Sequence, residues 1–233
     1  MKISFNMATM PERLSGAIKT IESIYDQADI IRLYLNKFDE VPNEFKRDKI
    51  ITHIGDDLRS TGKLFWSLKK DEYYFCIDDD LIYPPTYSID MIKKLNEYND
   101  EIIVSLHGKV LKTGKKNSYF RDLELGLHCL RDVYEDTWVH VIGNGVSAFN
   151  TNKIVIDYKK FKYNYMDDIM VSLEVQKQSK GALVMAHKSN YLLYNAPIGD
   201  TLHGEYANND STQTEMVNSI VWSLTPKEKI TIN

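Results

Sequence analysis

Residues 73–85 read YYFCIDDDLIYPP: an apolar run from Tyr73 to Ile77 ends in three aspartates, Asp78, Asp79 and Asp80, with Pro84 and Pro85 close behind. Like charges side by side repel, and seating them against the end of a buried strand adds a desolvation cost. Either the aspartates face water as a solvated acidic turn, or something positive sits among them. The run EYYFCI is apolar or aromatic at almost every position, as expected for a central strand covered on both faces.

Working outward, KISFNMA opens the chain as a strand, and TMPERLSGAIKTIESIYDQA places Leu14, Ile18, Ile21 and Tyr25 at helical spacing. IIRLYLN and KIITHI read as two more strands, while STGKLFWSLKK reads as a helix capped by Ser60 or Thr61. This alternation predicts an α/β fold: a mixed, mostly parallel sheet flanked by helices, Rossmann-like, in a single domain. Ligands of such sheets gather beyond the carboxyl ends of the strands, where ATMPER, LNKFDE, IGDDLRSTGK and DDDLIYPP converge.

Beyond Pro85 the reading is a helix over SIDMIKKLNEY, one strand over EIIVSLHGKVL and a polar, basic loop over KTGKKNSYFRD. Strands follow in TWVHVIG and VSAFN, then a helix from about Asp167 to Lys177 and a last strand in GALVMAHK. From Asn195 onward the pattern weakens to a loop or tail. No linker is evident, so residues 1–233 are expected to form one unit, with a nucleotide-binding half to about 95 and a catalytic, acceptor-binding half after it.

A formal net charge of −4 excludes a dedicated nucleic-acid binder. Cys76 and Cys129 lie in apolar stretches without CxxC spacing and read as buried thiols of a reducing compartment. The N-terminus is too weakly apolar for a signal peptide, and no stretch approaches the roughly 20 apolar residues that span a bilayer. The expectation is a cytoplasmic protein, with peripheral association at the inner face of a bacterial membrane left open.

Side chains alternate along a strand, so Asp78 and Asp80 are expected to point one way and Asp79 the other. Two hard oxygen ligands on one side suit Mg²⁺ or Mn²⁺. Gly143 and Gly145 flank Asn144 between two strands, where glycine permits close approach of a backbone or a sugar, or forms a plain bulge. Asp167 and Asp168 begin a helix, where capping is the simplest role. His140 alternates with apolar neighbours and reads as structural.

These features, DDDLIYPPTY above all, with MPERL, LNKFDEVP, TGKLFW, LHGKV, IGNGVSAFN and MDDIM, resemble GT-A glycosyltransferases. Within that fold the order and spread are similar to bacterial capsule enzymes that add N-acetylglucosamine during heparosan synthesis. The resemblance implies a GT-A-like fold, a UDP-sugar donor, Mn²⁺ or Mg²⁺ on its pyrophosphate, and retaining transfer to a capsule or surface polysaccharide. It also implies an oligosaccharide acceptor, for which the basic loop suits a uronic-acid polymer, and a capsule-synthesis complex as partner.

Carried over, Asp80 is the main metal ligand, and Asp78 shares the metal or holds the ribose beside Asp79. Thr9 and Arg13 wrap the nucleoside, Asn36 and Asp57 bond it, and Lys63 reaches the diphosphate. Gly143, Asn144 and Gly145 border the donor, as His107 does unless it is a core histidine. Asp168, with Asp167 beside it, acts on the acceptor hydroxyl or the sugar. His203 completes the metal shell, with His187 as the substitute. Two other readings stand beside this one: a sugar nucleotidyltransferase, which would be expected to carry a glycine-rich basic loop where NMATMPERL stands, and a non-catalytic nucleotide-sugar-binding subunit, against which the acidic residues argue.

Overall fold

β4 (Glu72–Ile77) does lie centrally, between β1 (Lys2–Thr9) on one side and an antiparallel strand, β11 (Val146–Asn150), on the other. The computed structural model describes residues 1–163, 165–196 and 210–230. β2 (Ile30–Asn36) and β3 (Ile50–Gly55) extend the sheet beyond β1, all parallel. Past β11 come β6 (Ile102–Ser105), β12 (Gly181–Val184) and β9 (Thr137–Trp138). Among the described residues the main sheet therefore has eight strands in the order β3-β2-β1-β4-β11-β6-β12-β9. Both halves of the chain contribute strands to this one sheet.

Alternation along β4 divides the core. Phe75 and Ile77 pack with Ala17, Ile21 and Ile24 of α1 (Leu14–Ile24) and with Tyr87, Met91 and Leu95 of α2 (Tyr87–Asn96). Tyr74 and Cys76 pack on the opposite face with Met170, Val171 and Val175 of α3 (Asp167–Lys177). The Phe5 and Phe75 rings stack at 4.7 Å, a geometry that adds about 0.5–1.5 kcal/mol to simple burial. β4 begins at Glu72, which is buried and forms a paired, two-pronged ion pair with buried Arg32 of β2 at 2.6 and 2.7 Å. Burial pushes the Glu72 carboxyl up, and the bonds from Arg32 and Ser4 outweigh it and hold it low.

Several local expectations are corrected. Residues Arg59–Leu64 form a 3₁₀ helix without a side-chain cap, where an α-helix capped by Ser60 or Thr61 was expected. EIIVSLHGKVL is two strands: β6 stays in the main sheet, while β7 (Gly108–Leu111) turns into a three-stranded sheet with β8 (Leu123–Leu127) and β10 (Val141–Ile142). The turn comes at Leu106–His107, between the two strands. The last strand is likewise shorter than expected: β12 ends at Val184, and β13 (Leu193–Tyr194) pairs with β5 (Leu81–Ile82) beside the acidic turn. Within the expected tail, Ser211–Asn218 is a helix, α4. No helix among the described residues is long and apolar enough to cross a membrane.

Candidate functional site

Pairing between β4 and β11 builds the site. Ile77 faces Val146 across the ladder, so the residues that leave β4, Asp78 onward, meet those that enter β11, Gly143 to Gly145. The Asp78 N–H donates to the Gly145 carbonyl at 3.0 Å. A Cβ on residue 145 would overlap the Asp78 carboxylate. The close approach that glycine permits here is thus made by an aspartate side chain.

Positive charge does sit among the aspartates. Lys63, buried at the end of the 3₁₀ helix, forms an ion pair with Asp78 and lies 3.8 Å from Asp167. Burial pushes its amine down, but Asp78 and Asp167 outweigh that and hold it protonated above the ordinary lysine range. Arg13, at the close of the 3₁₀ turn Pro11–Arg13, pairs with Asp79 at 2.5 Å and with Asp80 at 3.0 Å. Thr9, the last residue of β1, donates its hydroxyl to Asp79 at 2.7 Å.

This geometry corrects the alternation expected of the triplet. Asp78 continues the β4 pattern towards the α3 side, and Asp79 turns towards α1, but Asp80 also turns towards Arg13. The strand ends at Ile77 and Asp79–Asp80 form a turn, so the two-residue period no longer applies. Asp80 nonetheless feels Asp78: burial first, and then the Asp78 charge, push the Asp80 carboxyl up to about 6. Burial also raises Asp79 despite Arg13 and Thr9.

Asn144 ties the acidic pair to this cluster. It is fully buried; its backbone N–H donates to Asp168 at 2.7 Å and its side-chain amide to Asp167 at 2.8 Å. The Ser60 hydroxyl also donates to Asp167, at 2.6 Å. Neither carboxylate caps α3, whose first flanking residue is Met166 with no capping side-chain bond. Burial, with Asp167 next, pushes the Asp168 carboxyl up to about 7. Lys109 of β7, which sequence reasoning missed, shares that environment. Burial lowers its amine to about 8 against the pull of Asp168 and Asp210, and its ammonium lies 3.7 Å from the Tyr119 ring centre. Its only sequence signal was a lysine inside the strand pattern GKVL.

Thr9, Arg13, Lys63, Asp78, Asp79, Asp80, Asn144, Gly145, Asp167 and Asp168 thus form one connected group. Gly143 supports it from behind: a Cβ there would meet the His107 side chain at 2.6 Å. Asn36 and Asp57 serve the neighbouring loop. Asn36 accepts from the Leu58 N–H and donates to the Arg59 carbonyl, and Asp57 pairs with Lys37 at 2.9 Å. His140 accepts the Leu111 N–H at 3.0 Å. The His187 ring is buried against the carbonyls of Met185 and His128, at 2.8 and 3.4 Å, and does not join the carboxylates. His203 lies outside the described residues.

The residues fit a divalent cation and a polyphosphate. The Asp78 side chain is about half exposed, at 45%, and burial together with the Asp78 charge pushes the Asp80 carboxyl up despite its pairing with Arg13. Arg13 Nε is buried with no hydrogen-bond partner among the described residues, and an unmet buried donor is costly unless a ligand supplies an acceptor.

No protein-family model and no curated protein matches the chain. Among solved structures it is similar to the crystal structure of Francisella tularensis 2-C-methyl-D-erythritol 4-phosphate cytidylyltransferase. The match covers 89% of this chain and 99% of that one, at 16% identity and a TM-score of 0.50. At that identity the likeness speaks for the fold, which is a Rossmann-like, mixed and mostly parallel sheet. It corrects the expected kinship with capsule glycosyltransferases, since the likeness runs to a nucleotidyltransferase and no glycosyltransferase family matches. The expected enzyme class, UDP-sugar-dependent transfer to a polysaccharide, falls with that kinship, as do the heparosan and capsule assignments.

Proposed function

We propose that the chain is a metal-assisted nucleotidyltransferase that joins the nucleoside monophosphate part of a nucleoside triphosphate to a phosphorylated small molecule, such as a sugar or polyol phosphate. The observation that carries this reading is the joining of buried Lys63 and partly buried Arg13 to Asp78, Asp79 and Asp80 at the carboxyl ends of β1 and β4, with Asp167 of α3 brought alongside. The fold likeness to a cytidylyltransferase supports it.

In the reaction an oxygen of the acceptor phosphate attacks the α-phosphorus, the bond to the β-phosphate breaks, and pyrophosphate leaves. Asp78 and Asp80 would hold a Mg²⁺ or Mn²⁺ ion, which when bound neutralises charge on the phosphates. Lys63 lies beside Asp78 to meet phosphate oxygens as a fixed positive charge. Arg13 supplies the unmet Nε donor, which suits a phosphate oxygen. Residues before about 96 hold the nucleotide, and Asp168 with Lys109 faces the acceptor side. NMATMPERL lacks the glycine-rich basic loop expected of such enzymes, so phosphate binding rests more heavily on Lys63, Arg13 and the ion.

The test is incubation with each of the four ribonucleoside triphosphates, a panel of sugar and polyol phosphates, and Mg²⁺ or Mn²⁺. Pyrophosphate is measured alongside the mass of the coupled product. The reading requires both from at least one pair, and their loss in Lys63→Ala. Pyrophosphate without coupled product, or neither from any pair, overturns it.

A further inference from the structure

A second constellation of donors, of different chemistry from the aspartates, lies just beyond one end of the small sheet. The β7–β8 ladder closes with Gly108 opposite Leu127, so the next residue out on each strand, His107 and His128, stands beside the other. Their ring centres are 4.9 Å apart. Cys129 follows His128 and turns inwards, 8% exposed, into the main core. One donor atom from each of His107, His128 and Cys129 lies within 4.8 Å of the other two. Donors about a bond length of 2.0–2.3 Å from one tetrahedral ion stand roughly 3.3–3.8 Å apart, so closure asks only for small side-chain movements.

We propose that His107, His128 and Cys129 bind a zinc-class divalent ion, with the fourth position open. Two imidazoles and a thiolate suit a borderline-soft metal and not Mg²⁺, which prefers oxygen. His107 is held for this. Its carbonyl accepts from the Gly143 N–H at 2.7 Å and from the Ser105 hydroxyl at 2.9 Å, and Gly143 packs behind its side chain. Binding breaks the Cys129 S–H bond; the proton passes to solvent and the thiolate bonds the metal. His128 gives up the bond its Nδ1 accepts from the Leu130 N–H, at 3.1 Å, because either ring nitrogen that ligates leaves Nδ1 unable to accept. Because uptake releases the Cys129 proton, metal binding is expected to strengthen with pH.

The experiment is cobalt(II) titration of the purified full chain, reading the thiolate-to-cobalt charge-transfer band and the intensity of the visible bands. One equivalent should produce both, and zinc should displace it. Cys129→Ser should abolish the charge-transfer band, while Cys76→Ser, at the only other cysteine, keeps it. His128→Ala, at an exposed side chain that the core does not need, should weaken cobalt binding by more than about tenfold, the cost that even supporting residues carry at metal sites. It keeps the proposal testable if Cys129→Ser fails to fold. Excess Mg²⁺, which competes for oxygen ligands and not for imidazole and thiolate, should leave the band in place, separating this site from the carboxylates. No charge-transfer band, a band that survives Cys129→Ser, one that excess Mg²⁺ displaces, or full-strength cobalt binding in His128→Ala would each overturn the proposal.

Discussion

At Asp168, burial and Asp167 push the carboxyl up to about 7, whereas the unfolded chain titrates it near the ordinary aspartate value of about 3.9. The folded pKa is the higher of the two, so the group's contribution to stability is fully present below about 4 and is lost as pH rises through about 7. Asp168→Asn removes that loss while its side-chain oxygen still accepts the Asn144 N–H. The variant should match wild type near pH 4 and exceed it by about 1–2 kcal/mol at pH 8, a discounted share of the roughly 1.4 kcal/mol that each unit carries. Urea unfolding at both pH values checks this, and a difference that does not grow with pH counts against it. Coupled-product formation should fall in the same variant. Gly145→Ala gives a second outcome at this scale: the added methyl displaces the Asp78 carboxylate from Lys63. Metal-dependent pyrophosphate release should drop by about tenfold or more, with helicity by circular dichroism unchanged.

Single elements explain what could be read in advance and what could not. β1 to β4 were legible because each is a short stretch rich in β-branched, aromatic and other apolar residues closed by turn residues, β4 almost without interruption, and the site was legible where it sits at the ends of those strands. Strand periodicity failed for Asp80, since it holds only while the ladder holds, and the ladder ends at Ile77. β8 went unread although LELGL alternates, because the run is only five residues long, is interrupted by Gly126 and leaves Leu125 exposed in a small sheet. The partnership of Arg13 with Asp79 and Asp80 needed the β1–β4 register, which no local pattern discloses. Composition likewise hid α4, since STQTEMVN has little apolar signal. Tertiary contacts hold the helix: fully buried Val217 packs among Leu111, Tyr119, Val141 and Ile169, and Thr214 and Asn218 bond the basic loop at 2.8 Å. Val217→Asp should therefore unseat α4 and free that loop. Trypsin cleavage within residues 112–121 should accelerate about tenfold or more, as expected for a loss of local stability above about 1.4 kcal/mol. Cleavage at the wild-type rate would show that α4 does not hold the loop.

On the scale of the whole molecule, two halves that meet along β4 and β11 share one carboxylate-rich seam, so a ligand that bridges the seam should stabilise both. With Mn²⁺ and a bound nucleoside triphosphate at about 100 times Kd, mass action predicts about 2.7 kcal/mol of added stability, read as a rise in Tm that chelator reverses. Asp80→Asn should lose most of the metal-dependent part of that rise while keeping its own Tm at or above wild type, because it relieves a carboxylate crowded by burial and by Asp78. A rise of full size in Asp80→Asn would exclude that carboxylate from the ion.

The strand β11 is buried on both faces along its whole length. A strand with one wet face has its pairing fixed by the need to keep that face outside; β11 has no such instruction. Slipped by one residue against β4, it would still bury apolar side chains, but Val146 would stand where Gly145 must admit Asp78. Correct pairing is therefore distinguished from its near miss chiefly by fit at the site itself. Proofreading of the fold and competence to bind thus reside in the same few atoms. During refolding, sheet and helix signals should recover ahead of nucleotide binding, and the interval between them measures the time the chain spends out of step.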